Sequence, residues 1–521
     1  METSISLQRN VDSFKNYLLN IWGNEKPLCK LFSTDKNNYL YDTGTNKIVK
    51  CENPEFELLN DLMIMDINDA VDKFSSNHSE KDINRVTSSI TKSMENMNVL
   101  KITKIENFNL SHNYDFVIDK INNKLGMIQL ELTQNCNLRC KYCIYSDFFK
   151  EKRNYANVDM KEATAKKAID YLKLHSINSK KASISFYGGE PLLKFSLLQK
   201  SVAYARKIFQ KKKINFAMTT NGTLIDKEIA EYLHEQGFSI LVSLDGPKDI
   251  HDSWRKDINN KGSFERTYRG FKILINEYKK DPYQLALSMV YTPPYSKEKI
   301  ERISEFITSS PWIPDNIRIN ITYPQEGSIP YNLDEKQKKT NKTDIDFTLS
   351  DWARGRFLSD YKKGIKSHPI ATAVLEDKLA RLFQRPLIDK PIRSAHLNGC
   401  CIPGARKIYI TARGSMNVCE RIGNAPDIGN VNDGINYKVI NKYYLDEYKE
   451  KSIKYCSNCW LVRLCPICYQ QAFYNNKINL DKKNWACFLQ KKGVETSLLY
   501  LCSLLEIDNN GLDYLYKFEF S

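Results

Sequence analysis

Between residues 125 and 325, short apolar runs alternate with longer segments whose apolar residues recur at helical spacing. The runs Met127–Leu132, Ala182–Tyr187, Asn215–Thr219, Ile240–Leu244, Leu285–Val290 and Ile317–Ile321 predict strands. Ala163–Leu174, Leu192–Phe209, Lys227–His234 and Thr267–Tyr278 predict amphipathic helices between them. Repeated strand–helix units imply an α/β fold with a parallel sheet, open or closed. Six units suggest a partial (β/α)6 TIM-like barrel, in which chemistry sits at the C-terminal ends of the strands.

The flanks follow other patterns. Residues 1–120 open with a helix-like stretch. Tyr39-Leu40-Tyr41, a turn over Asp42–Asn46 and Ile48-Val49 then predict a hairpin. Asn53-Pro54 predicts a helix start, with Asn53 as cap and Pro in the first turn. Ile83, Val86, Ile90, Met94 and Met97 share one face of a further helix. A hairpin with short helices is a winged-helix-like pattern. Residues 326–396 read as a polar, lysine-rich and then helical connection, and residues 397–490 as a cysteine-rich domain. A tail over 491–521 contains a short apolar helix, Glu495–Leu505.

Composition narrows the class. The chain of 521 residues is 42% hydrophobic and 27% charged, so two or three globular domains are expected. No apolar run is long enough to span a bilayer, and Met-Glu-Thr-Ser-Ile-Ser is no signal peptide, which points to the cytoplasm. In a reducing compartment the 14 cysteines serve metal binding or catalysis rather than disulfides. Eight of them fall between Cys400 and Cys487, and such clustering favours metal. The net charge of +15 is spread as short runs such as Lys211–Lys213 and Lys491–Lys492. That distribution fits solvated lysines and an acidic ligand better than a nucleic-acid face. On the helix Asp82–Met97, Arg85 and Lys92 are balanced by Asp82 and Glu95, which also disfavours nucleic acid.

After the first sheet strand the chain reads Gln134-Asn135-Cys136-Asn137-Leu138-Arg139-Cys140-Lys141-Tyr142-Cys143. Three thiolates in a C-x3-C-x2-C spacing suit three irons of one cubane, with the fourth iron left for a small chelating molecule. The alternative is a structural zinc loop, but zinc prefers four ligands and no fourth lies nearby.

These residues resemble the radical S-adenosylmethionine (radical SAM) superfamily, in which an aromatic such as Tyr142 precedes the third cysteine. Gly188-Gly189-Glu190-Pro191 is similar to that family's GGE motif: the glycines would let backbone approach the ligand, and Glu190 would accept from its ammonium group. Thr219-Thr220-Asn221-Gly222 and Ser243-Leu244-Asp245-Gly246-Pro247 end the next two strands as in the same family. The resemblance makes Thr220, Asn221, Ser243 and Asp245 cofactor-binding candidates, with Arg255 and Arg266 as candidate partners of the cofactor carboxylate. It implies reductive cleavage of S-adenosyl-L-methionine to a 5′-deoxyadenosyl radical that abstracts a substrate hydrogen.

Cys401-x12-Gly414-x4-Cys419 and Cys456-x2-Cys459-x5-Cys465-x2-Cys468, with Cys487 beyond, resemble the SPASM domain. A hairpin over Lys407–Val418 would deliver Cys401 and Cys419 to one auxiliary [4Fe–4S] cluster. By the family pattern Cys468 crosses back to that cluster, while Cys456, Cys459, Cys465 and Cys487 complete another. That implies three [4Fe–4S] clusters in all. The last spacing is two where three is commoner, and Cys400 is either a further ligand or a bystander. A zinc ribbon is the competing reading.

Barrel and SPASM together resemble maturases of ribosomally made peptides, whose winged-helix-like region binds a leader as an extra strand. Asn398–Lys407 is similar to maturases of cysteine-rich peptides that form thioether crosslinks. The expected partners are a precursor peptide with its leader and an external flavodoxin- or ferredoxin-like electron donor, with no nucleic acid and no membrane span. Carbon–carbon crosslinking is an alternative, as is anaerobic sulfatase maturation. In the latter family an aspartate proposed as base follows the cysteine matching Cys419; Glu420 stands there and is the catalytic carboxylate candidate.

Overall fold

The computed structural model describes residues 2–109, 114–146, 149, 155–210, 212–315, 317–325, 327–329 and 348–519. The first region has its own apolar core. Helix α1 (Glu2–Trp22) is followed by strands β1 (Cys29–Ser33), β2 (Asn38–Asp42) and β3 (Ile48–Cys51), then α2 (Asn53–Ile64), α3 (Ile67–Asn77) and α4 (Glu80–Asn96). The predicted hairpin is β2–β3, and β1 adds an unforeseen third antiparallel strand. Phe14, Leu18 and Trp22 of α1 pack with Leu58, Phe74, Val86, Ile90 and Met94 of the later helices. The cap of α2 is Glu52, one residue before the expected Asn53, because Glu52 and Glu55 exchange side-chain and backbone hydrogen bonds in a capping box.

The turn after β2 is built on Asp42. Its buried carboxylate accepts from Thr45 N at 2.7 Å, Thr45 Oγ1 at 2.6 Å and Leu100 N at 2.8 Å. Asn46 has φ 62°, a left-handed conformation that asparagine tolerates. Thr43 Oγ1 donates to Trp460 O at 2.7 Å, so the turn is tied to the cysteine-rich region.

The central sheet follows. β4 (Asn107–Asn109) and α5 (Tyr114–Asn123) lead to β5 (Met127–Thr133), β6 (Ala182–Gly188), β7 (Ile214–Thr220), β8 (Phe238–Ser243), β9 (Leu285–Val290) and β10 (Arg318–Thr322). These six strands are parallel and adjacent in sequence order, and each lies within about two residues of its predicted span. The helices between them are α6 (Glu162–His175), α7 (Phe195–Ile208), α8 (Lys227–Glu235), α9 (Lys248–Trp254), α10 (Phe264–Glu277) and α11 (Lys297–Ser309). Burial alternates along β6 and β7. Ile184, Phe186, Phe216 and Met218 enter the core, and the half-buried Ser183, Ser185, Asn215 and Thr219 point the other way.

The sheet does not stop at the predicted domain boundary. β11 (Ser394–His396) pairs with β4 in a separate two-stranded sheet, while β12 (Lys407–Ile410) pairs in parallel with β5. β13 (Ser415–Asn417), β14 (Gly429–Asn430) and β15 (Gly434–Ile435) extend the central sheet to ten strands, with β10 at one edge and β15 at the other. The hairpin expected over Lys407–Val418 is β12–β13. The connection contains helices Leu349–Lys362 and Pro369–Phe383; its lysine-rich stretch around Lys338–Lys339 lies outside the described residues. The short helix expected at Glu495–Leu505 is the end of a 26-residue helix, Leu480–Leu505, capped by Asn479 accepting from Lys482 N at 2.8 Å. Its first half lacks one continuous apolar stripe, which hid it from the periodicity. Among the described residues no helix is long and apolar enough to cross a membrane.

His368 joins the connection to the sheet domain. Its Nδ1 accepts from Ile370 N at 3.2 Å, capping Pro369–Phe383, and its Nε2 meets Ser304 Oγ of α11 at 2.8 Å. Burial, with Arg356 nearby, pushes its pKa down to about 4. The unfolded chain takes up the proton near pH 6.5 and the folded chain does not, so stability falls as pH drops from 6.5 towards 4. The loss is roughly 3 kcal/mol at about 1.4 kcal/mol per pKa unit. Denaturant midpoints should therefore fall less steeply across this window in His368→Asn than in the wild type.

Candidate active site and metal centres

β5 ends in the loop that carries Cys136, Cys140 and Cys143, at the C-terminal end of the parallel strands. The adjacent strand holds that loop through glycine. A Cβ on Gly188 would lie 2.3 Å from Thr133 O, and one on Gly189 would lie 2.1 Å from Asn135 O. Gly189 N donates to Thr133 O at 2.9 Å and Glu190 N to Asn135 O at 3.0 Å. Sequence reasoning assigned these glycines to ligand approach; the close contact in the structure is with the cysteine loop. Glu190 is fully buried and accepts from Leu192 N at 3.1 Å, Thr220 Oγ1 at 2.8 Å and Asn221 N at 2.8 Å. It braces two strand ends, and burial pushes its pKa up against those three donors.

The loop's other side rests on the chain after α9. Arg139 N donates to Lys256 O at 2.6 Å and Lys141 N to Trp254 O at 2.9 Å. Leu138, Cys140, Tyr142 and Trp254 form a small buried cluster, with Cys136 and Cys143 at its margin. Asn221 Nδ2 bonds Asn137 Oδ1 at 2.8 Å and lies 3.8 Å from Cys136 Sγ. Tyr142 OH donates to Asp245 Oδ2 at 2.5 Å and accepts from Arg255 Nη1 at 2.6 Å. Asp245 Oδ1 accepts from Val290 N at 3.0 Å. Burial pushes the Cys140 thiol up to about 12, with the Arg255 guanidinium opposing. Among the described residues Arg255 Nε is buried without a partner, beside the cysteine loop.

Thus Tyr142, Asn221, Asp245 and Arg255 gather around the three cysteines, while Ser243 stands half-buried at the end of β8. Arg266 is not part of that group: it pairs with Asp257 at 2.9 Å and is 40% exposed. Sequence reasoning missed Glu131. Its fully buried carboxylate accepts from Tyr145 OH at 2.7 Å, Tyr409 OH at 2.6 Å, Ala412 N at 2.9 Å and Gln134 Nε2 at 3.1 Å. A glutamate between Leu130 and Leu132 in a predicted core strand was the available signal.

The remaining cysteines fall into two neighbourhoods. Cys465 lies within electrostatic reach of Cys456, Cys459 and Cys487. Cys468 reaches Cys401 and Cys419. Cys400 is buried between the two sets, near Cys468 and Cys465, whereas Cys401 is exposed. Gly399 allows this convergence, since a Cβ there would lie 2.6 Å from Pro466 O. Glu420 forms an ion pair with Lys407. Burial would raise its pKa, but the Lys407 ammonium outweighs it and holds the carboxylate below its usual range. Among the described residues no three His, Cys, Asp or Glu groups gather as tightly as one metal ion needs. The thiol sets suit a cubane in donor type, because each thiolate then binds its own iron.

Residues 130–307 match the model of the Radical SAM superfamily. The matched stretch holds the cysteine loop at the C-terminal end of a six-strand parallel sheet, so the chain carries a radical SAM domain and is an oxidoreductase that cleaves S-adenosylmethionine. A cysteine-type anaerobic sulfatase-maturating enzyme of Clostridium novyi is 28% identical over 360 residues, spanning 66% of this chain and 86% of that one. The radical SAM cyclopropyl synthase TigE of Paramaledivibacter caminithermalis is 24% identical over 405 residues, 75% of this chain and 76% of that one. The solved structure of native anSMEcpe with bound AdoMet shares the fold with a TM-score of 0.52 at 19% identity, covering 75% of this chain and 100% of that one.

Gly189→Ala tests the loop contact. Its methyl group collides with backbone that cannot turn away, so the loop must shift. The variant should retain about four fewer irons than the wild type after reconstitution and form 5′-deoxyadenosine at least about tenfold more slowly.

Proposed function

We propose that this enzyme modifies a side chain of a peptide or protein, using one [4Fe–4S] cluster on Cys136, Cys140 and Cys143 and two auxiliary clusters in the cysteine-rich region. The observation that carries this reading is the pairing of β12 with β5. It sets the cysteine-rich region edge to edge with the strand that ends in the first cysteine loop. When bound, the first cluster and S-adenosylmethionine would supply the 5′-deoxyadenosyl radical that takes a hydrogen from the substrate. Tyr142, Asn221, Asp245 and Arg255 would orient the cofactor, and Arg255 has a buried donor free for a carboxylate. The half-buried polar residues Ser183, Ser185, Asn215 and Thr219 would line the substrate's side of the sheet.

Of the finer readings, oxidation of a cysteine or serine side chain is favoured, because a cysteine-type sulfatase-maturating relative is matched over 86% of its length. Glu420 would then hold or take the substrate proton. Its pairing with Lys407 makes it a weak base until a substrate displaces the lysine. Thioether crosslinking is the second reading. It is supported by the N-terminal sheet and helices, whose strand β3 is an edge to which a leader could add. An external flavodoxin- or ferredoxin-like donor would supply the electron.

The test is anaerobic reconstitution with dithionite and S-adenosylmethionine. The wild type should hold about twelve irons and form 5′-deoxyadenosine; Cys136→Ala/Cys140→Ala/Cys143→Ala should hold about eight and form none. Tightly bound zinc without nucleoside would overturn the cluster assignment. With cysteine-containing peptides, a carbonyl trapped by a hydrazine reagent marks side-chain oxidation. Loss of a hydrogen pair with a thiol blocked to alkylation marks a thioether instead.

A further inference from the structure

Lys483 is 1% exposed, with its ammonium against a thiol and a tyrosine ring. It lies four residues before Cys487 on the helix Leu480–Leu505, a spacing that puts both on one face. Its Nζ is 3.5 Å from Cys456 Sγ and 5.4 Å from the ring centroid of Tyr448. Cys487 and Cys400 are also within its electrostatic reach. Among the described residues its polar contacts are a thiol and an aromatic face, with no carboxylate at ion-pair distance.

A buried ammonium without a counter-charge is strongly disfavoured. The thiols around it, Cys456, Cys487 and Cys400, supply none while protonated. Four thiolates holding an iron–sulfur cluster do, because the assembly is anionic and becomes more so on reduction. A fixed positive charge at this distance stabilises the reduced form more than the oxidised one.

We propose that Lys483 is the counter-cation of a cluster held by Cys456, Cys459, Cys465 and Cys487, donating to the Cys456 sulfur and raising that cluster's reduction potential. This rests on the reading that these cysteines hold an auxiliary cluster. The couple is a one-electron one. The cluster gains one electron from the reductant, and no bond to Lys483 forms or breaks.

The experiment is a potentiometric titration followed by electron paramagnetic resonance on the full chain. Cys136, Cys140 and Cys143 are replaced by Ala in every sample, so that the two auxiliary clusters alone report. Lys483, Lys483→Met and Lys483→Arg are compared, with iron content measured first. In Lys483→Met one of the two reduction waves should move. Where the parent is half reduced, its oxidised-to-reduced ratio should rise about tenfold, about 59 mV for one electron. Lys483→Arg should restore it. Retained iron with both waves unmoved overturns the role of Lys483 and leaves the cluster reading intact. A parent without about eight irons overturns the cluster reading and this inference with it. Loss of about four irons in Lys483→Met but not in Lys483→Arg supports the counter-cation; loss in both overturns it, because arginine keeps the charge.

Discussion

Glu131 is a carboxylate with no solvent access in the middle of a buried strand, and its acceptors are satisfied from three separate stretches of chain. Tyr145 comes from the cysteine loop, Tyr409 and Ala412 from the hairpin of the cysteine-rich region, and Gln134 from the strand's own end. A buried acceptor left unpaired costs about 1–3 kcal/mol, more if charged. β5 is therefore stable in the core only when both the loop and the hairpin are in place. The two cysteine-bearing regions are positioned against each other by one polar group, and apolar packing alone would not set that register.

The same device recurs around the strand ends. Glu190 after β6 is satisfied by the end of β7 and the turn that follows it; Asp245 after β8 is satisfied by Tyr142 of the cysteine loop and by Val290 of β9. Each buried acid spans from its own strand to a neighbour, so the active end of the sheet is cross-braced strand by strand. Donors used in this way are unavailable to a ligand. The free hydrogen-bonding capacity beside the cysteine loop is correspondingly narrow, and the unpartnered Arg255 Nε is part of it.

The strands of the central sheet were legible because a parallel sheet buried under helices needs apolar runs at regular intervals, and Leu285–Val290 was read to the residue. The cysteines were legible because their spacing is local. Glu131, Tyr145 and Tyr409 carried no such signal. Tyr145 and Tyr409 stand 14 and 278 residues from Glu131 along the chain; the fold of the cysteine loop brings the first, and the pairing of β12 with β5 brings the second. β1 was missed because Cys-Lys-Leu-Phe-Ser is too short and mixed for a period. α11 was passed over although Ile300, Ile303 and Ile307 mark its buried face and Ser296 caps it. The separation of Arg255 from Arg266 was equally invisible, since one is buried just past α9 and the other stands on the outward side of the first turn of α10.

The cysteine-rich region follows a different rule from the sheet it extends. Its strands are two to four residues long, and the close approach of Gly399 to Pro466 accompanies a buried Cys400 and an exposed Cys401. Burial disfavours the thiolate form at Cys419, Cys459, Cys465 and Cys468 alike. A metal that deprotonated these thiols would reverse that penalty and make their convergence favourable, so metal binding and local folding would share one free energy. Because β12 belongs to this region and also satisfies Glu131, that free energy would extend into the sheet. Order in the auxiliary region and order at the first cysteine loop are thereby coupled through the backbone pairing of two strands.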